Sequence, residues 1–330
     1  MKNKNLERKI FYSLREDVLN LTILPTEQCN FRCFYCYESF KLGKMKKEIS
    51  EAILKLIKKR ASSLKILHIG WFGGEPLMAQ DIVVSLSQQF KALSEKFGFE
   101  YSASITTNGY YLDSNLFEKL VDNGISSYQI TLDGDKKRHN RTRMLSNGEG
   151  TFDKIWSNLI AIKERSLDFD ITLRIHYSPE NLKDIKTFAK LLEREFGRDD
   201  RFKIFFKNIS TLGSCNDESL STFNREESDE IQKDLNSLVD NIDTVTFDDY
   251  LCYASEANSF IIRSNGDVSK CTVALDEEVN IVGKLNSYGE LELNQDKCKL
   301  WSIGLQTEDK EHLACPYYSL IKPKIVDMVD

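Results

Sequence analysis

The chain has 330 residues, 41% hydrophobic and 29% charged, which suits a globular protein with a main domain and an appendage. Its 45 basic and 51 acidic residues leave a net charge of −6, which is no footprint for nucleic acid. No run of about 18 apolar residues is present, so no membrane span is expected. The opening MKNKNLERKIFYSLRED lacks an apolar core between its charges, so the sequence predicts no signal peptide and a cytoplasmic protein.

Strand-like runs rich in β-branched and aromatic residues fall at 21–25, 64–72, 101–107, 126–132, 169–177 and 202–208. Helical spacing fills the gaps between them. Ile49, Ile53, Leu56 and Ile57 mark the first helix, with lysines between 41 and 60 on its solvated face. Ile82, Val83, Leu86, Phe90, Leu93 and Phe97 mark the next. Asp113 or Ser114 caps a helix that buries Leu116, Phe117 and Leu120, and Gly124 ends it. Further helices carry Ile155, Leu159 and Ile162, then Leu182, Ile185, Phe188 and Leu192. Residues 210–228 are polar and without period, so they read as a loop, followed by a helix with Ile231, Leu235 and Leu238. In the tail, Asn265–Gly266 signals a hairpin turn. Strands and helices alternating in series imply parallel strands joined by right-handed crossovers, but too few for an eight-unit barrel. The expected fold is α/β, a partial (β/α)6 TIM-like barrel over 21–210. It is preceded by a segment over 1–20 and followed by a linker and helix over 211–244 and a small cysteine-bearing domain over 245–330.

The eight cysteines, without an export signal, point to metal or redox chemistry rather than disulfides. Cys29, Cys33 and Cys36 form C-x3-C-x2-C directly after the first strand, on the side where barrels hold their chemistry. Three thiolates can ligate three irons of a 4Fe–4S cubane and leave the fourth iron open. Zinc is the plainer alternative, but it favours paired C-x2-C units and four ligands, and no fourth lies nearby.

This loop resembles that of the radical S-adenosylmethionine (SAM) enzymes, whose motif places an aromatic residue where Tyr35 stands. The resemblance implies that the open iron chelates the amino and carboxylate groups of SAM. One electron then splits SAM into methionine and a 5′-deoxyadenosyl radical, which takes a hydrogen atom from the substrate. By the same resemblance, Gly73, Gly74 and Glu75 in GGEP receive the SAM amino group. Thr106-Thr107-Asn108-Gly109 resembles a signature that lines the adenosine end, through Thr107 and Asn108. Thr131-Leu132-Asp133-Gly134 resembles another, with Thr131 and Asp133 toward SAM or substrate. Both stretches are also ordinary turn chemistry. Arg174 stands where relatives carry an arginine toward SAM, the alternative being a salt bridge to a core acid; Leu173 and Ile175 face away from it. His139 and Arg143 loosely match a histidine and an arginine of relatives. Their basic run, 136–143, either attracts an acidic peptide or is a solvated loop. His68, His139, His176 and His312 do not cluster in sequence and read as packing or surface residues.

In the tail, Cys252-x13-Gly266-x4-Cys271 resembles the opening of a SPASM/Twitch extension. The dense cysteine run of a full SPASM domain is missing, so Cys252, Cys271, Cys298 and Cys315 are expected to hold one auxiliary 4Fe–4S cluster, with structural zinc as the rival. Cys215 stands apart, either a plain thiol or a hydrogen-atom donor, redox relay or cluster ligand.

Enzymes of this kind mostly modify peptides. The expectation is a peptide maturase that forms a crosslink or thioether or epimerises a residue, with a precursor peptide as partner and flavodoxin or ferredoxin as reductant. The short N-terminal segment leaves little room for a leader-binding domain, so a separate protein or the barrel itself would recognise the peptide. The alternatives are a Twitch-type dehydrogenase of a small molecule, a sulfatase-maturase-like protein oxidation, and a non-catalytic iron–sulfur or zinc protein.

Overall fold

The computed structural model describes residues 4–212, 217–243 and 250–321. Helix α1 (Lys4–Ser13) leads into β1 (Val18–Ile23), and a short β2 (Phe31–Cys33) lies inside the first cysteine loop. Then follow α2 (Lys47–Arg60), β3 (Ile66–Trp71), α3 (Gln80–Phe97), β4 (Glu100–Thr107), α4 (Ser114–Asp122) and β5 (Ile125–Leu132). Next come α5 (Lys136–Thr142), β6 (Arg143–Leu145), α6 (Phe152–Lys163), β7 (Asp170–Tyr177), α7 (Leu182–Phe196), β8 (Phe202–Asn208) and α8 (Arg225–Asn236). The C-terminal extension holds β9 (Ser259–Ile262), β10 (Asp267–Ser269), β11 (Ile281–Leu285), β12 (Leu291–Leu293) and α9 (Gln295–Ser302).

All six expected strands are present, and β1, β3, β4, β5, β7 and β8 lie side by side in that order, all parallel. This is the partial TIM-like barrel. Alternation along each strand builds its two faces. In β7, Ile171, Leu173 and Ile175 are fully buried, while Thr172 and Arg174 turn to the concave side. Helices cover the apolar side: α3 buries Val83, Leu86 and Phe90, and α7 buries Ile185, Phe188 and Leu192. Each such side chain contributes roughly 1.5–3 kcal/mol when fully removed from water. The concave side stays polar and so remains available to a ligand.

The extension adds to the barrel sheet. Strand β9 pairs parallel with β1, from Asn20↔Ser259 to Ile23↔Ile262, and β10, β11 and β12 continue antiparallel. The expected hairpin forms between β9 and β10, where Gly266 takes φ +87°. Ile262, Val268, Val282 and Trp301 share one core with Leu21 and Ile23 of β1. Sheet and core therefore run on beyond residue 245.

Two expectations need correction. The loop placed at 210–228 ends at Asn224, whose side chain forms a capping box with Glu227 and starts α8. The basic run at 136–143 is not a loop but α5 and the start of β6, because Asp135 caps the helix by accepting from Arg138 N–H at 2.9 Å. His139 and His176 are buried packing residues, as expected, and they meet at Asp133. The cap of α4 is as expected: Asp113 accepts from Leu116 N–H at 2.9 Å, and Gly124 follows at φ +84°. No helix among the described residues is long and apolar enough to cross a membrane.

Candidate active site

The first cysteine loop leaves the C-terminal end of β1 and is held in place by backbone pairing. Strand β2 pairs antiparallel with β6, placing Cys33 opposite Arg143. Phe34 N–H donates to Thr142 O at 2.9 Å, and Cys36 N–H to Cys33 O at 3.1 Å. Phe31 N–H points at Cys29 Sγ, 3.3 Å away. The three thiols feel one another electrostatically. Burial raises all three, Cys36 to about 12, so without a bound cation they stay protonated. Among the described residues no three His, Cys, Asp or Glu side chains converge tightly enough for one metal ion. Ligands that attach to different irons of a cubane need a wider triangle than that.

Tyr35, between the second and third cysteines, is a strut. Its hydroxyl donates to Asp133 Oδ1 at 2.8 Å and accepts from Arg143 Nη1 at 2.8 Å. Its ring packs edge-on against His176, centroids 4.8 Å apart. Asp133 also accepts from Thr142 Oγ1 at 2.7 Å, and His176 Nδ1 lies 3.4 Å from Oδ1. Burial opposes charge on Asp133, but the His176 contact and the Arg143 guanidinium outweigh it and hold the carboxyl well below its usual range. Asp133 thus supports the cysteine loop from the end of β5.

His139 and His176 border this carboxylate. Burial, helped by nearby guanidinium groups, lowers them to about 3 and about 4. Both stay neutral in the folded chain, whereas an unfolded histidine takes its proton near 6.5. The unfolded state therefore binds more protons below that value, and stability falls as pH falls from 6.5 toward 4. We expect a loss of about 1.4 kcal/mol per pH unit per imidazole in that window. Anaerobic urea unfolding at pH 6.5 and pH 5 measures it. The slope should flatten in His139→Gln/His176→Gln, and an equal slope in the variant refutes the assignment.

The glycine turn after β3 lies against the start of the cysteine loop. Gly73 and Gly74 take φ +92° and +45°. Glu75 N–H donates to Gln28 O at 3.0 Å, and Gly74 N–H donates to Glu38 Oε2 at 2.7 Å. Glu75 is fully buried and accepts from Leu77 N–H at 2.9 Å and from Thr107 Oγ1 and Asn108 N–H, each at 2.7 Å. Asn108 Nδ2 donates to Asn30 Oδ1 at 2.8 Å. The structure therefore brings Gly73, Gly74, Glu75, Thr107 and Asn108 together beside Cys29. One lone-pair position on Glu75 Oε2 is left for a further donor.

Thr131 and Arg174 are register partners on β5 and β7. Arg174 Nε is buried without a partner, as is Asn30 Nδ2, and no acid pairs with Arg174 among the described residues. A desolvated guanidinium left unpaired in the protein suits an anionic ligand. SAM would bring both an ammonium and a carboxylate, and the thiols, Glu75 and Arg174 fit the cluster and that cosubstrate. Below Arg174 the lumen opens into a cavity of about 300 Å³ lined by Ser104, Thr106, Gln129, Thr172, Phe205 and Asp243.

In the extension, Cys252 feels the charges of Cys271 and Cys315, and burial raises it to about 12. Cys271 feels Cys315. Cys298, on α9, responds to Lys270 and to no other cysteine. Cys252, Cys271 and Cys315 thus act on one another electrostatically, and Lys270 feels both Cys298 and Cys252. Asn280 holds the Cys271 segment, accepting from Cys271 N–H and donating to Cys271 O, both at 2.8 Å. Cys215 lies outside the described residues.

Sequence reasoning missed Glu38, raised to about 7 chiefly by burial, although an acid two positions after Cys36 was a signal. It also missed Asn30, and His176 two residues beyond Arg174 on the same face of β7.

A family model described as Radical SAM superfamily matches residues 23–192. Among curated proteins the chain is similar to Fe-coproporphyrin III synthase of Methanosarcina barkeri, 28% identical over 170 residues, which cover 52% of this chain and 40% of that one. It is also similar to GTP 3′,8-cyclase of Campylobacter jejuni, 28% identical over 189 residues, which cover 56% of this chain and 54% of that one. The chain therefore spans about half of these relatives or less. Among solved structures, native anSMEcpe with bound AdoMet and Kp18Cys peptide aligns with TM-score 0.67 at 21% identity, over 86% of this chain and 83% of that one. Streptococcus suis SuiB bound to S-adenosylmethionine aligns with TM-score 0.58 at 16% identity, over 89% and 69%. At these identities the two structures speak for the fold. The family match takes in the cysteine loop, the glycine turn and Arg174 over just over half of the chain, and the chain belongs to the radical SAM superfamily, enzymes that bind a 4Fe–4S cluster and S-adenosylmethionine.

Proposed function

We propose that this enzyme uses the 5′-deoxyadenosyl radical to take a hydrogen atom from a residue of a peptide substrate, as a maturase that forms a crosslink or thioether or epimerises the residue. The observation that carries the reading is the extent of the structural match. It covers 86% of the chain, barrel and extension together, against a structure that holds a bound peptide. SuiB bound to its precursor peptide SuiA gives the same architecture at TM-score 0.54. Cys252, Cys271 and Cys315 support an auxiliary 4Fe–4S cluster with three of its thiolates at hand. Such a centre would accept the electron that a substrate radical gives up on closing a new bond. A reductant such as flavodoxin or ferredoxin would supply the electron that splits SAM. A reducing cytoplasm suits the free thiols of Cys29, Cys33, Cys36, Cys252, Cys271 and Cys298.

The curated relatives favour a second reading, because GTP 3′,8-cyclase is named for a small molecule. The polar cavity under Arg174 would serve such a substrate too. The deciding experiment feeds the reduced holoenzyme with SAM and either GTP or a deuterated candidate precursor peptide. Deuterium arriving in 5′-deoxyadenosine from the peptide supports the first reading. Acceleration by GTP alone replaces it with the second.

Cys271→Ala tests the tail centre. Iron should fall from about eight to about four atoms per chain. Uncoupled SAM cleavage should persist while product formation drops at least about tenfold. A variant that keeps its iron and its product yield sinks the auxiliary cluster.

A further inference from the structure

One buried ion pair joins the extension to the SAM site. Glu27 lies two residues before Cys29, and its carboxylate accepts from Arg263 Nε at 3.1 Å and Nη2 at 2.6 Å. Ser264 adds its N–H at 3.4 Å and its hydroxyl at 3.5 Å. Every one of these donors belongs to residues 263–264, just past β9, and none to the barrel that carries Glu27. Arg263 is itself fixed, donating from Nη1 to Leu275 O at 2.6 Å. Both side chains are about 5% exposed. A pair this buried is a weak source of stability, because desolvation consumes most of its Coulombic gain.

The backbone next to Glu27 is the surface on which the glycine turn rests. Gln28 O accepts from Glu75 N–H at 3.0 Å. A Cβ on Gly74 would meet Gln28 O at 2.2 Å and Glu27 C at 2.9 Å, so no slack separates the two segments. Arg263 holds Glu27, and residues 27–28 in turn set the height of Gly73, Gly74 and Glu75.

We propose that Arg263 is a positioning residue for SAM: through Glu27 it fixes the glycine turn that takes the SAM amino group, so the C-terminal extension sets the affinity of the barrel for its cosubstrate. This goes beyond the substrate reading above and does not depend on it. The fork of a guanidinium grips both carboxylate oxygens, which an ammonium cannot do.

The test uses the reconstituted full-length holoenzyme under anaerobic conditions, with SAM itself as the probe. The SAM-induced shift in the EPR spectrum of the reduced cluster is titrated in wild type, Arg263→Gln, Arg263→Lys and Glu27→Gln. Arg263→Gln should need about tenfold more SAM for half of the shift, the size expected when a supporting residue is lost. Its cluster iron should match wild type, and 5′-deoxyadenosine formation should lose more in half-saturation than in maximal rate. Arg263→Lys should recover part of the affinity. An Arg263→Gln protein that titrates like wild type overturns the proposal. So does parallel loss of iron and SAM binding, which would make the pair a scaffold of the cysteine loop. If Arg263→Gln does not fold, Glu27→Gln, which keeps shape and acceptor, takes its place: weaker SAM binding with full iron supports the proposal, and wild-type titration or parallel loss of iron overturns it.

Discussion

Replacing Cys29, Cys33 or Cys36 singly with alanine should abolish formation of 5′-deoxyadenosine from SAM under anaerobic reduction. Each thiol sits in a loop whose conformation is fixed elsewhere, by the β2–β6 pairing and the Tyr35 strut, so its loss leaves the loop in place. What disappears is a ligand. Burial raises each thiol, and only a strongly bound cation keeps three thiolates side by side there. Residues that merely support a ligand are worth about 10- to 100-fold, and a direct ligand should exceed that. Tyr35→Phe is the comparison: it removes one hydroxyl from between Arg143 and Asp133 and should cost activity without removing iron. Iron analysis and quantified 5′-deoxyadenosine decide the matter. Cleavage at more than about 10% of wild type in any alanine variant would place the cluster elsewhere.

Legibility of the site followed chain order. The cysteine loop, GGEP, TTNG and TLDG end β1, β3, β4 and β5, and parallel strands joined by right-handed crossovers put all four ends on one side. That is why spacing alone places residues as far apart as Cys29 and Asn108 in one site. The strands were readable because their apolar residues alternate against polar lumen residues. Strands β2 and β6 were not, because three residues carry no period. Long-range pairs had no signal at all. Nothing local links Arg263 to Glu27, or marks β9 as the strand that joins β1. Asp133 shows the limit at a single side chain. Its strand-end position was legible, but not that its oxygens are taken up by Tyr35 and Thr142.

Gly74→Ala should cut SAM cleavage by about a hundredfold, the loss expected from a displacement of about 1 Å at a reacting centre. Two costs combine at this position. An alanine at φ +45° pays roughly 1–2 kcal/mol for left-handed backbone. Its Cβ also lands 2.2 Å from Gln28 O and 2.6 Å from Gln28 C, and backbone atoms cannot rotate away. Gln28 is pinned as well, its amide donating to Phe40 O at 2.6 Å and Leu42 O at 2.9 Å. The turn must therefore move, which pulls Glu75 off Thr107 and Asn108 and Gly74 off Glu38. Gly98→Ala separates the two costs, since Gly98 takes φ +75° but a Cβ there meets nothing within 4 Å. That variant should lose about 1 kcal/mol of stability and keep its cleavage rate. A Gly74→Ala enzyme as active as Gly98→Ala would show that the turn does not hold SAM.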